Sequence, residues 1–228
     1  MKTVLTTSLT LITTLGMAFS AQAFQLVKSF VSHIDAAQEV TESDSTATGF
    51  STLNLLGDGM GNYQIEYKIT VTPPLDFTFI ENPGSLAPVP IDNNNVTKIH
   101  LHGGAPRGEN GVLPFDIRTI DPDTGLVTSA TPDDDLVIDI NGETHISGLL
   151  EEDEFTSSIT YPTFQSLIDE LLATPGGADT RLYWNIHTSG LPSGAIRGQV
   201  EATPEPGTLL GLVSILGLVG FNSQKKKS

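Results

Sequence analysis

A ten-residue segment of this chain, NYQIEYKITV at residues 62–71, alternates polar and apolar side chains without a break. Successive side chains of an extended strand point to opposite sides, so all the apolar members would share one face. They are Tyr63, Ile65, Tyr67, Ile69 and Val71. A helix would need its apolar residues to recur with a period near 3.6, whereas the period here is two. The segment therefore predicts a β-strand with one face in a hydrophobic core.

Other segments have the same character and are separated by turn-forming residues. Residues 47–55 predict the hairpin partner of this strand, because the glycines of the intervening LGDGMG can adopt the positive φ of tight turns. Further strands are expected near 26–34, 96–102, 112–118, 136–140, 180–188 and 194–201. The pattern predicts an all-β fold, an antiparallel β-sandwich.

One segment, YPTFQSLIDELLATPGG at 161–177, has helical periodicity instead. Thr163 is a suitable N-cap, and Pro175 with two glycines would end the helix. We expect one short helix that covers an open end or face of the sandwich. Its apolar residues fall at i, i+3, i+4, i+7 and i+8, and they are Phe164, Leu167, Ile168, Leu171 and Leu172.

Two long loops interrupt the strands, at 72–95 and 119–135. In the second loop, residues 121–125 have the D-x-D-x-G spacing of a calcium-binding loop, but no glutamate follows at the twelfth position. We therefore expect a solvated loop there, and a solvated charge run at EEDE, residues 151–154.

The N-terminus is typical of a secretory signal peptide. A basic residue precedes a mostly apolar stretch at 4–19, and AQA at 21–23 is a small-x-small cleavage site. We expect signal peptidase to cut after Ala23, which makes residues 1–23 a signal peptide.

The C-terminus carries a second apolar stretch, at 208–221, followed by three lysines. A helix of that length is about 21 Å long, short of the ~30 Å hydrocarbon core of a bilayer. Pro204, Glu205 and Pro206 stand just before it. Together these parts, within residues 203–228, resemble the PEP-CTERM sorting signal of Gram-negative bacteria. The resemblance implies an apolar helix held transiently in the inner membrane, cleavage by an exosortase-type protease, and a protein released or attached at the outer surface or in the extracellular matrix.

Acidic residues dominate the chain, with 27 Asp and Glu against 11 Lys and Arg and a formal net charge of −16. Binding of nucleic acid needs basic patches, so we expect no nucleic-acid partner. The chain has no cysteine, so an exported domain of this sequence must be stabilised by sheet packing or bound metal rather than by disulfides.

Three of the five histidines fall at strand positions that share a face. His100 and His102 are two residues apart, so both point to the side opposite their apolar neighbours. The same parity places Asn185 and His187 outward on the strand at 180–188. It places Arg197 outward on the next strand, at 194–201. That arrangement suits a metal site of neutral imidazoles, and it equally suits a hydrogen-bonded polar face without any ligand.

Four motifs follow one another along the chain: HIDAAQEV, which contains Gln38 and Glu39, then IHLHGGAPRGENG, NIHT and GAIRGQV. In this combination the chain resembles the CHRD domain over residues 30–200, and we assign residues 24–202 to that domain. The resemblance implies an exported protein with an immunoglobulin-like β-sandwich, similar to the fold of copper-zinc superoxide dismutase.

The resemblance leaves two functions open. The first is a non-enzymatic surface or matrix module, with an exopolysaccharide or a surface protein as its partner. The second is a copper- or zinc-binding protein, with dismutase-like redox chemistry as its enzymatic form. His100, His102 and His187 would then be the ligands, with Asn185 and Arg197 beside them and Arg197 guiding an anion. The loop after His102 offers no histidine or aspartate for a neighbouring zinc ion.

A hydrolase is disfavoured by the sequence. The chain contains no G-x-S-x-G elbow, and pairing two of its many carboxylates as a glycosidase would be arbitrary. We expect no catalytic residues.

Overall fold

The computed structural model describes residues 23–81, 83 and 93–204. The predicted signal peptide before Ala23 and the sorting segment after Pro204, including Glu205 and Pro206, lie outside these residues. Within them, no helix is long and apolar enough to span a bilayer. The described strands are β1 (Gln25–Asp35), β2 (Thr48–Gly57), β3 (Tyr63–Val71), β4 (Val96–Gly103), β5 (Val112–Thr119), β6 (Val137–Asn141), β7 (Glu143–Leu150), β8 (Asp179–Thr188) and β9 (Ile196–Ala202). The helices are a 3₁₀ helix (Ala36–Gln38), α1 (Thr78–Glu81) and α2 (Phe164–Ala173).

All nine described strands join in one antiparallel sheet, in the order β5-β4-β8-β9-β1-β2-β3-β7-β6. The sheet curls until its two halves face each other. The ring of Tyr67 on β3 lies 5.3 Å from that of Trp184 on β8, although three strands separate β3 from β8 within the sheet. The result is a half-barrel whose concave side holds the hydrophobic core. The predicted all-β antiparallel fold is confirmed, whereas the immunoglobulin-like or dismutase-like type of sandwich stays a prediction.

The alternating segment forms β3 and pairs with β2 as a hairpin, as predicted. The sequence prediction missed β7, which pairs with β3 on one side and β6 on the other. The inward face of β7 carries Thr144, Ile146, Gly148 and Leu150, so it lacks the run of large apolar residues that marks a strand. Gly148 is small for a steric reason, because a Cβ there would lie 2.5 Å from Oδ2 of Asp133 and 2.8 Å from the Tyr67 hydroxyl.

Helix α2 begins after the predicted cap. The Thr163 side chain accepts a hydrogen bond from the Ser166 amide, and the Ser166 hydroxyl accepts one from the Thr163 amide. Four of the five predicted apolar residues are buried, and Leu172 is the exposed one. At the other end, the Lys28 ammonium donates to the carbonyl groups of Leu171 and Leu172. A positive charge at the C-terminus of a helix also interacts favourably with the helix dipole.

The acidic loops are less solvated than the sequence predicts. Asp133 is 1% exposed and accepts a 2.6 Å hydrogen bond from the Tyr67 hydroxyl. Glu154, in the predicted charge run, is buried and accepts hydrogen bonds from the amides of Asp134 and Glu151. Backbone and hydroxyl donors replace the water that these carboxylates lose, which a count of charges along the sequence cannot show. Asp121, at the start of the D-x-D-x-G segment, accepts from the Asp123 amide and so closes its own turn.

Asp133 makes the stability of the fold depend on pH. Burial raises the pKa of its carboxyl from 3.8 to about 7, although the Tyr67 hydrogen bond works in the other direction. Because the folded pKa is the higher one, ionised Asp133 destabilises the folded state above pH 7, and this destabilisation disappears as the pH falls from 7 towards 4. Asp133→Asn removes the charge and keeps one acceptor oxygen for the Tyr67 hydroxyl, at the loss of the hydrogen bond that Oδ1 accepts from the Asp135 amide. We expect this change to raise the free energy of unfolding by about 1–2 kcal/mol at pH 8, and by less at pH 5.

Urea unfolding at pH 8 and pH 5 measures this difference. Asp134→Asn is the matched control, because the Asp134 side chain is exposed, and its effect should be small at both values. A benefit of Asp133→Asn that is as large at pH 5 as at pH 8 would contradict the account.

Candidate metal centre

The pairing of β4 with β8 brings the three histidines together. His100 lies opposite Asn185, His102 opposite Tyr183, and His187 follows two residues after Asn185 on the same face. The ring centroid of His100 is 5.3 Å from that of His102 and 4.9 Å from that of His187. One ring nitrogen from each residue lies within 4.8 Å of the other two. The predicted convergence of the three side chains is therefore present.

The histidines lie on the predicted face, but that face is not exposed. Ile99 and Leu101 point into the core, and the histidines point to the opposite side of the sheet. His100 and His187 are nevertheless only 7% exposed, and His102 is half-buried. The prediction that the three side chains point away from the apolar core is confirmed, but strand parity fixes a face and does not reveal which loops cover it.

Two loops provide the cover. Within the segment 104–111, the amide of Ala105 donates to the carbonyl group of Arg181, and the amide of Gly111 donates to the Tyr183 hydroxyl. The β8–β9 turn reaches the site through the carbonyl group of Pro192, which contacts His187. The convex side of the sheet therefore holds a second buried layer, and this layer is polar.

His187 is held in one tautomer by its surroundings. Its Nδ1 lies 3.0 Å from the carbonyl oxygen of Pro192, and because a carbonyl only accepts, Nδ1 must carry the hydrogen. Nε2 therefore keeps its lone pair, and this buried atom has no hydrogen-bond partner. Burial lowers the pKa of His187 to about 3, so the ring is neutral at neutral pH.

Contacts with β5 fix His100 in the other tautomer, with the hydrogen on Nε2. Its Nε2 lies 3.0 Å from the Thr119 hydroxyl and 3.3 Å from Oδ1 of Asp116, and the Thr119 hydroxyl itself donates to Asp116. Nε2 accordingly carries the hydrogen, and Nδ1 is the buried nitrogen without a partner. Burial alone would raise the pKa of Asp116, but the hydrogen bonds from His100 and Thr119 outweigh it and lower that pKa.

His102 is oriented by stacking, and the backbone of Gly111 and Val112 lies close to its ring. Its ring lies parallel to that of Tyr183, with centroids 5.0 Å apart and an interplanar angle of 5°. Both ring nitrogens are buried without a hydrogen-bond partner. Burial also lowers the pKa of His102 to about 4, which leaves this imidazole neutral as well.

These residues fit a metal ion. Ten buried side-chain nitrogen or oxygen atoms of the described residues lack a hydrogen-bond partner, and four of the ten are ring nitrogens of these histidines. Native proteins leave few such atoms unsatisfied, because each costs about 1–3 kcal/mol. Outer partners that fix the tautomers of His100 and His187 are also what metal-bound histidines usually have. Neutral imidazole nitrogen is a ligand that both zinc and copper accept, and each of the three residues would supply one such nitrogen.

Asn185 and Arg197 lie in the same buried layer. Asn185 stands between His100 on β4 and Arg197 on β9, and its Oδ1 has no hydrogen-bond partner. Arg197 lies on the predicted side of the sheet, opposite Asn185, but this side is covered and the residue is only 1% exposed. Its guanidinium carbon lies 3.5 Å from the centroid of the Tyr183 ring, whose other face stacks on His102.

Sequence reasoning did not single out Asp116, Thr119 or Tyr183 as members of the site. Asp116 could have been found from the register of the β4–β5 pair, in which it lies opposite His100. Tyr183 shares the face of His187 by simple parity. Such assignments need the strand pairing, which a single sequence does not provide.

The comparisons with known proteins agree with the resemblance seen in the motifs. A model of the family described as "CHRD domain" matches residues 30–200. No curated protein and no solved structure matches the chain. The matched range runs from the middle of β1 to the middle of β9 and contains all three histidines. The chain belongs to the CHRD domain family.

Proposed function

We propose that this protein is an exported, non-enzymatic CHRD module that binds one transition-metal ion, copper or zinc, through His100, His102 and His187. The observation that carries the proposal is the convergence of buried, unpartnered imidazole nitrogens from two paired strands. A bound ion would accept one lone pair from each ring and so remove the cost of leaving those atoms unsatisfied.

The alternative of a purely hydrogen-bonded polar face accounts for only part of the site. It explains the contact of His187 with Pro192 and the Leu191 amide that donates to the Thr188 hydroxyl. It gives no role to Nε2 of His187 or Nδ1 of His100, which have no partner. A metal ion uses the same hydrogen bonds as supports for its ligands and also occupies the remaining nitrogens.

The donor set favours copper over zinc. Neutral imidazole suits both ions, and the site offers no thiolate that would select a softer metal. Divalent copper binds a given nitrogen site more tightly than divalent zinc. Among the described residues, no second group of three such ligands lies close enough to bind an ion, so a two-metal arrangement like that of the dismutases has no support here.

Export and processing belong to the same proposal. Signal peptidase would cut after Ala23, an exosortase-type protease would cut at Pro204-Glu205-Pro206, and the helix at 208–221 would hold the protein in the inner membrane until then. The mature protein would lie at the outer surface or in the matrix of a Gram-negative-type bacterium, with an exopolysaccharide or surface protein as partner. CHRD domains are typically extracellular or secreted. Both cuts would leave the sheet intact, since β1 begins at Gln25 and β9 ends at Ala202. Mass spectrometry of both termini of the native protein tests this part.

Titration of the metal-free protein with Cu²⁺ and Zn²⁺, followed by calorimetry, tests the metal site. We expect one equivalent to bind, with Cu²⁺ the tighter of the two ions. His100→Ala and His187→Ala each remove one of three ligands, so each should weaken binding by more than about 100-fold, beyond the loss typical of an outer partner. Bound metal should also raise the free energy of unfolding, by about 4 kcal/mol when the free metal concentration is about a thousand times Kd.

His33 and His145 supply matched controls, because both are exposed and lie on other strands. His33→Ala and His145→Ala should bind Cu²⁺ like the unaltered protein. The proposal fails if the unaltered protein binds neither ion above background, or if these controls lose as much affinity as His187→Ala.

Asp116 provides a separate test of how the ligands are held. Asp116→Asn replaces the charged acceptor beside Nε2 of His100 with a neutral amide, so the ring keeps only weaker, uncharged partners to fix its tautomer. We expect Cu²⁺ affinity to fall by about 10–100-fold with the stoichiometry unchanged. Asp169→Asn, on the exposed side of α2, is the control. Equal affinities of the two variants would show that Asp116 does not support the site.

A further inference from the structure

Arg197 is a buried cation that forms no ion pair with a carboxylate of the described residues. Its Nη1 has no hydrogen-bond partner, and Nη2 reaches only the carbonyl oxygen of Pro106 at 3.4 Å and Oε1 of Gln199 at 3.5 Å. Burial lowers the pKa of the guanidinium, which reflects the cost of removing this charge from water. A buried charge without a partner is expensive, so the fold has a reason to supply an anion here.

Glu39 presents a second unsatisfied group beside Arg197. Its Oε1 is buried without a hydrogen-bond partner. The β8–β9 turn is shaped around this carboxyl group, since a Cβ on Gly194 would lie 2.5 Å from both of its oxygens. Gly194 also has φ +136°, a conformation that side chains disfavour. Burial raises the pKa of Glu39 to about 7 in spite of Arg197, so much of it is protonated at neutral pH.

A pocket of about 200 Å³ opens onto both groups. Arg107 lines it too, but its charge is already matched by two hydrogen bonds to Asp179 at 2.7 and 3.0 Å. Arg107 also donates to Oε1 of Gln38 at 2.8 Å, which ties the wall of the pocket to the 3₁₀ helix. The space is below the range of about 300–1,000 Å³ for drug-sized ligands, so a single small group fits.

We propose that this pocket binds a carboxylate group, held by the guanidinium group of Arg197 with the carboxyl group of Glu39 as its second contact. A carboxylate supplies the negative charge that Arg197 lacks, and guanidinium groups match carboxylates geometrically. In its protonated form Glu39 donates its O–H to the same ligand. The site is distinct from the histidines, because the Tyr183 ring lies between Arg197 and His102.

Two sources share this chemistry: a small free carboxylate, and a uronate unit of an acidic polysaccharide. The probes for the test are acetate, galacturonate and the neutral sugar galactose, titrated calorimetrically into the full-length, metal-free protein. We expect acetate and galacturonate to bind saturably at one equivalent and galactose not to bind. Galacturonate at least tenfold tighter than acetate assigns the site to a uronate, and equal affinities assign it to a free carboxylate.

Variants connect the binding to the pocket. Arg197→Lys should weaken carboxylate binding at least tenfold, while Arg181→Lys, a matched change on the exposed surface, should not. Ala37→Leu fills the pocket from the exposed 3₁₀ helix without replacing a buried residue, and it decides the matter if Arg197→Lys does not fold. The inference is overturned if neither carboxylate binds saturably, if galactose binds equally well, or if Ala37→Leu and a folded Arg197→Lys keep full affinity. The same samples are also titrated with Cu²⁺. Because copper binding and carboxylate binding are measured separately, failure of one proposal is distinguished from failure of the other.

Discussion

The antiparallel pairing of β4 with β8 is the contact on which the rest of the molecule depends. On its concave side it places Ile99, Leu101 and Trp184 in the core of the half-barrel. On its convex side it places His100 and His187 within one site. A slip of one residue in this register would exchange the two faces, and would bury imidazoles in the core while exposing the core residues. The core and the proposed metal site thus depend on the same ladder of hydrogen bonds.

The convex layer differs from an ordinary core because its buried groups are polar and incompletely satisfied. Gln199 shows the usual solution, with its amide donating to the carbonyl groups of Thr180 and Leu182. The histidines, Arg197 and Glu39 lack such partners for one or more atoms. Unsatisfied atoms on one face of one sheet are costly, and a ligand that supplies the missing contacts stabilises the folded state. The proposed metal ion would supply the contacts that the imidazoles lack, and the proposed carboxylate those that the Arg197 guanidinium lacks. The two sites lie on opposite sides of the Tyr183 ring.

Much of the scaffold could be predicted from the sequence because its signals are local. Alternation at 62–71 gave β3, and apolar spacing with Thr163 as a cap gave α2. Parity alone placed the three histidines on one face. Burial of that face could not be predicted, because the loop at 104–111 and the turn at Pro192 reach it by contacts distant in sequence.

The same limit explains the other differences between sequence and structure. Strand β7 carries Thr144 and Gly148 on its inward face, so its alternation is weak until β3 is seen beside it. Asp133 and Glu154 belong to acidic segments that resemble solvated loops, yet the Tyr67 hydroxyl and two backbone amides hold them in buried positions. Each of these features depends on a partner that the sequence does not identify.

X-ray absorption spectroscopy of the protein loaded with one equivalent of Zn²⁺ would count the ligands of the proposed three-histidine site. We expect three imidazole nitrogens at about 2.0–2.1 Å, and two in the His187→Ala variant under the same loading. A spectrum dominated by oxygen ligands, or one that His187→Ala leaves unchanged, would place the ion elsewhere and contradict the account.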